Sequence, residues 1–200
     1  MIATHSPYFV DPCFLCNGST LGRVFISERG STIAQVRPET VIHLRGLITN
    51  KSNPHVLGLD AREIFFQQDK IILVEGQEDV VFYPDIEKEL GLKFEGTFFG
   101  WGVGGAHNMH VFARLLADLG FMKVVGIFDR DKEHIVKELE RQFSGFLFLA
   151  IPADDVRTKE ARGPTAQKIG LLDGGKLRFD FEKDTRELVE RVNKYLSPDP

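Results

Sequence analysis

Four short apolar runs punctuate the middle of the chain: IILV at 71–74, TFFG at 97–100, KVVGIF at 123–128 and FLFLAI at 146–151. None alternates with polar residues, which is the pattern of strands buried on both faces of a parallel sheet. Amphipathic stretches separate them. Met109, Phe112, Leu115, Leu116 and Leu119 recur along one stripe of a helix that Gly120 stops, and Ile135, Leu139 and Phe143 repeat the pattern further on. After Asp79 another helical stretch must break, kink or restart at Pro84 before ending at Gly91. The alternating order predicts an α/β fold, an open parallel sheet of about four strands flanked by helices, with right-handed crossovers.

The flanks read differently. GRVFIS and STIAQV surround the polar ERG, predicting a hairpin over roughly 22 to 36. Pro38, Gly46, Pro54 and Gly58 mark a connector with one short helix around Val41 to Leu47. LDAREIFFQQ reads as a helix with Asp60 as its N-cap, leading into the first apolar strand. After the last apolar run, IPADDVRTKEARGPTAQK at 151–168 reads as a polar loop, KIGLLDGGKLRFDF as a hairpin turning at Asp173, Gly174 and Gly175, and DTRELVERVNKYL as a closing helix. Asp184 or Thr185 caps that helix, and Leu188, Val192 and Tyr195 share one of its faces.

In a sheet of this kind the ligand crevice lies beyond the carboxyl ends of the strands. Both central strands end there in acid: KIILVEGQED supplies Glu75 and Asp79, and KVVGIFDRDK supplies Asp129 and Asp131. Glu75 and Asp129, roughly fifty residues apart in the chain, can meet in space across two βα units. Such carboxylates repel one another unless a cation neutralises them. Oxygen-only donors suit Mg²⁺ or Mn²⁺. DxD at a strand end puts Asp129 and Asp131 on the same side of the chain, because alternate residues of extended backbone point the same way. Acids at helix N-termini are also ordinary dipole partners, and either motif alone is bland; the joint pattern is what points to a metal site.

Charge sharpens this picture. The net charge of −4 excludes a uniformly basic nucleic-acid binder, and the whole deficit falls in residues 70–150, which hold nine basic against thirteen acidic side chains. No apolar run approaches a bilayer span and MIATHSPYF does not read as a signal peptide, so a cytoplasmic protein with no membrane contact is expected. Cys13 and Cys16 form one CFLC with no second pair and no histidines at finger spacing, and read as reduced thiols. WGVGGAHN at 101–108 departs from GxGxxG, so it predicts close approach of backbone to the acid site rather than a dinucleotide loop.

ILVEG followed by an acid, a glycine-bearing middle segment and then IFDRD resembles a Toprim domain, the catalytic fold of topoisomerases, primases and certain nucleases. More narrowly, AREIFFQQDKIILVEG, GGAHN and PADDVRTK are similar to the C-terminal region of the overcoming-lysogenization-defect (OLD) family of nucleases. THSPYF resembles the end of that family's ABC-type ATPase domain, with His5 as its switch histidine. The resemblance implies an ATPase remnant and connector over 1–58 and a Toprim catalytic domain over 59–200, with its core at 70–151 and a C-terminal extension.

It also implies DNA as the partner, and hydrolysis of phosphodiester bonds by two ions, Mg²⁺ or Mn²⁺. Glu75, Asp129 and Asp131 would be ligands, with Glu75 also a candidate base. Asp79 fits an ExxxD variant, and Asp154 or Asp155 would complete the second ion's shell. Lys168 or Lys159 would offset charge on the scissile phosphate, while Arg157, Arg162, Lys176 and Arg178 would track the DNA backbone. No GxxxxGK[ST] occurs, so ATP would be bound only by a longer full-length protein carrying the ATPase in cis. The family resemblance suggests a homodimer. One other reading stands beside the nuclease, a non-catalytic Toprim-like module that binds nucleic acid or a partner; a receiver-like fold in which Asp129 accepts phosphate needs a lysine at a later strand end, where FLFLAIPADD offers acids instead.

Overall fold

The computed structural model describes residues 2–4, 6, 10, 14–15, 17–49, 69–161 and 166–197. His5, Cys13, Cys16, the expected helix capped by Asp60 and Arg162 lie outside the described residues.

The central sheet is built from β3 (Lys70–Val74), β4 (Thr97–Phe99), β5 (Lys123–Phe128) and β6 (Leu147–Ala150), in the order β4-β3-β5-β6 and parallel throughout. Its register aligns Val74 with Ile127 and Val125 with Leu147. The missing alternation in these runs has its cause in two apolar cores, one on each face. Ile71, Leu73 and Val124 pack with Phe99, Met109, Phe112 and Leu116 on one side. Ile72, Val74, Val125 and Ile127 pack with Tyr83, Ile86, Val189 and Val192 on the other. The first core is covered by α3 (Ala106–Asp118), α4 (Glu133–Gln142) and α1 (Pro38–Thr49). The second is covered by α2 (Gln77–Leu90) and α5 (Phe179–Leu196).

The N-terminal hairpin forms as β1 (Gly22–Ser27) and β2 (Gly30–Gln35), and the connector helix is longer than expected. Buried Asp118 explains where α1 sits, since it accepts hydrogen bonds from the Arg37 backbone N–H and the Thr40 hydroxyl and pairs with the Arg37 guanidinium.

Two expectations are corrected, and a third is narrowed, since the helix neither breaks nor restarts at Pro84. Helix α2 runs through Pro84 and ends at Gly91, which takes the left-handed conformation at φ 63°. The burial of Tyr83, Ile86 and Leu90 offsets the hydrogen bond that proline cannot donate. Residues 151–168 are not all loop: β7 (Asp155–Arg157) pairs in parallel with β8 (Gly170–Asp173), which turns at Gly174 and Gly175 into β9 (Lys176–Leu177). Helix α5 starts at Phe179, and Thr185 is no cap, because it lies buried inside the helix with its hydroxyl donating to the Phe181 carbonyl.

Gly100, at the exit of β4, is where the sheet meets the loop that follows β3. A Cβ there would lie 2.3 Å from the Gly76 carbonyl oxygen and 2.6 Å from Val74 Cγ2. Gly100→Ala is therefore expected to destabilise the fold by about 1–3 kcal/mol, the usual range for overpacking. Thermal unfolding checks this, and an unchanged midpoint would contradict the close approach.

Candidate metal and phosphate site

The parallel register delivers the acids. Glu75 follows β3 directly and Asp129 follows β5, and the two are joined because Glu75 Oε1 accepts the Asp129 backbone N–H at 2.9 Å. Asp79, in the first turn of α2, accepts the Gly76 N–H at 2.9 Å, so its carboxylate both starts the helix and faces the same rim. Asp155 opens β7 and is 4% exposed. The glycine loop closes the rim from above: the Gly105 N–H donates to the Glu75 carbonyl at 2.8 Å, as the expected backbone approach requires. A cavity of about 240 Å³ lined by Gly76, Gln77, Glu78, Gly100, Gly102 and Gly104 opens beside it. A larger cavity of about 720 Å³, lined by Arg23, Asp69, Lys70, Glu95 and Thr97 among others, lies at the opposite ends of β3 and β4, away from the acids.

Burial and mutual repulsion act together on these carboxyls. Desolvation, then the charges of Glu75, Asp155 and Asp79, push Asp129 up to about 8, against the pull of Lys168. Desolvation, then Glu75 and Asp155, push Asp79 up to about 7 in spite of its bond from Gly76. Burial raises Glu75 as well, opposed chiefly by the Asp129 N–H. Among the described residues no three His, Cys, Asp or Glu side chains gather closely enough to hold an ion as they stand.

The other expected residues divide. The DxD is not extended, because Arg130–Lys132 form a 3₁₀ turn. Asp131 is thus carried to the exposed edge, 46% accessible and paired with Lys132, which holds its carboxyl low against the effect of burial, although its charge still reaches Glu75. Asp154 turns outward onto Arg130, so of the two candidates Asp155 joins the cluster.

Both lysines arrive. Lys168 Nζ lies 3.6 Å from Asp129 and 3.7 Å from Asp155, and Lys159 Nζ lies 2.7 Å from both Asp155 and Glu78. Arg157 pairs with Glu78 over the ring of Phe82. Arg178 is drawn away, to Asp173 and Asp180, and Lys176 is exposed on the terminal hairpin. The residue with the least signal in the sequence was Glu78, which reads there as an ordinary acid of a helix's first turn.

Unfolded aspartate titrates near its ordinary 3.8, whereas folded Asp79 and Asp129 hold their protons to about 7 and 8. The metal-free protein accordingly has the full contribution of these groups below pH ~4 and loses it as pH rises through 7 and 8. In chelator, the unfolding temperature should fall across that window. Asp129→Asn should flatten the decline and exceed wild type at pH 8; a variant less stable than wild type at pH 8 would contradict the crowding.

No curated protein matches the chain. Residues 65–131, from ahead of β3 to the 3₁₀ turn, match the TOPRIM domain of overcoming lysogenization defect protein-like proteins. Asp155, Lys159 and Lys168 lie beyond that stretch, brought to it by the fold. Over residues 65–131 the chain therefore matches an OLD-like TOPRIM domain, and its four-stranded parallel sheet flanked by helices is TOPRIM-like.

Proposed function

We propose that the protein is a metal-dependent DNA nuclease that hydrolyses phosphodiester bonds at the rim formed by Glu75, Asp79, Asp129 and Asp155. The observation that carries this is the meeting of four carboxylates from separate elements, two of them pushed to about 7 and 8, with Lys168 set against them. The donor set is all oxygen, which fits Mg²⁺ or Mn²⁺. Glu75, Asp79, Asp129 and Asp155 would hold the ions, with Asp131 at the open edge. Bound there, two such ions supply an activated water and stabilise the leaving oxygen.

The chain's own groups have distinct tasks. Glu75 Oε1 is committed to the Asp129 N–H, so Oε2 is the atom left to accept a proton. Its raised pKa brings it nearer neutrality, where a base is most effective. Lys168, partly exposed between Asp129 and Asp155, offsets charge building on a phosphate oxygen. Lys159, held by two carboxylates, is the less available of the two. Coupling to an ABC-type ATPase domain in cis, and through it to ATP, belongs to the same proposal and rests on the THSPYF resemblance.

One observation favours a second reading, a non-catalytic TOPRIM-like module that binds nucleic acid or a partner: the carboxylates do not close into an ion-holding group among the described residues. Plasmid cleavage separates the two. With Mn²⁺ or Mg²⁺ the folded chain should nick or cut supercoiled DNA, Asp129→Ala should reduce this to background, and Lys168→Ala should slow it by about a hundredfold. A folded wild-type chain that cuts under neither ion leaves only the binding module.

A further inference from the structure

Glu78 holds two cations at once. Its Oε1 accepts from Arg157 Nε and its Oε2 lies 2.7 Å from Lys159 Nζ. Arg157 closes β7 and Lys159 follows two residues on, in a bridge to Lys168, so one segment brings both cations to Glu78. Lys159 also lies 2.7 Å from Asp155, a member of the acid rim, and the Arg157 guanidinium sits over Phe82, 5.5 Å from the ring centroid. All three charged side chains are partly exposed, at 42% for Arg157 and 34% for Glu78 and for Lys159. An anion arriving from solvent can reach them.

The fold does not require this arrangement. Asp79 already satisfies the Gly76 N–H at the start of α2, and ion pairs as open as these contribute little to stability. A carboxylate that bridges two cations through its two oxygens presents the acceptors that a phosphodiester presents through its two non-bridging oxygens.

We propose that Arg157 and Lys159 form a subsite for a backbone phosphate next to the acid rim, and that Glu78 fills it in the free protein as an internal anion which the nucleic acid displaces. The inference rests on the nucleic-acid reading above. It follows that Glu78 weakens DNA binding and lowers the number of counterions released.

The test is fluorescence anisotropy of a labelled 20-base-pair duplex, in chelator so that nothing is cut, across a range of salt. Glu78→Gln should steepen the dependence of log affinity on log salt by about 0.9 for each cation freed, and raise affinity about eightfold at 0.1 M salt for one cation. Adding Arg157→Ala to Glu78→Gln should cancel most of the gain. Glu78→Asp, whose shorter arm reaches one cation at most, should shift both quantities the same way and serves if Glu78→Gln fails to fold. A folded Glu78→Gln with unchanged or weaker binding overturns the subsite, as does absence of duplex binding by both proteins. Because no metal is present, these shifts without any cleavage in the plasmid assay would remove the hydrolase reading and leave the subsite standing.

Discussion

Repulsion among carboxylates at one rim is the constraint around which this molecule is organised. Glu75 and Asp129 are brought near one another by backbone: adjacent parallel strands lie about 4.8 Å apart, and the register that aligns Val74 with Ile127 sets Glu75 level with Phe128, one residue before Asp129. The hydrogen bond from the Asp129 N–H to Glu75 fastens that proximity. Asp79 and Asp155 then add charge from two further elements. An arrangement that pushes two aspartates to about 7 and 8 persists only because the rest of the fold holds it.

What holds it is the pair of cores. The central strands are sealed on one face by α3 and on the other by α2 and α5, so the strand ends cannot retreat without opening buried apolar surface. The close contact between Gly100 and Gly76 locks the loop after β3, and the Gly105 N–H holds the Glu75 carbonyl. Lys168 and Lys159 face each other across a bridge in the segment between β7 and β8, and offset the charge of Asp129 and Asp79 from that side. The cations that balance the acids and the apolar layers that confine them thus come from different parts of the chain.

The parts legible in the sequence were those with strong local signals. Uninterrupted apolar runs of four to six residues gave the four parallel strands, and the stripe from Met109 to Leu119 gave α3. Glu75 and Asp129 could be paired because both end strands of one parallel sheet and so reach the same carboxyl rim. Strand β7 was hidden because its three residues, two of them charged, carry no apolar run; Asp155 is buried by tertiary packing that the local sequence does not encode. The same reason concealed that Asp155 faces the acid rim while Asp154 pairs with Arg130. Asp131 was misplaced by assuming that the strand continued, whereas the chain coils at once into a 3₁₀ turn. The start of α5 was set too late because Phe179, 88% exposed, breaks the amphipathic stripe that marks the helix further on.

Proton release on metal binding probes the central claim most directly. If a divalent cation relieves the crowding, it must expel the protons that Asp129 and Asp79 retain near neutrality. Calorimetric titration with Mn²⁺ in buffers of different ionisation enthalpy should show release of about one proton or more per chain at pH 7 and almost none at pH 9. Binding of Mn²⁺ with no proton release at pH 7, or no binding at all by the folded chain, would contradict the account.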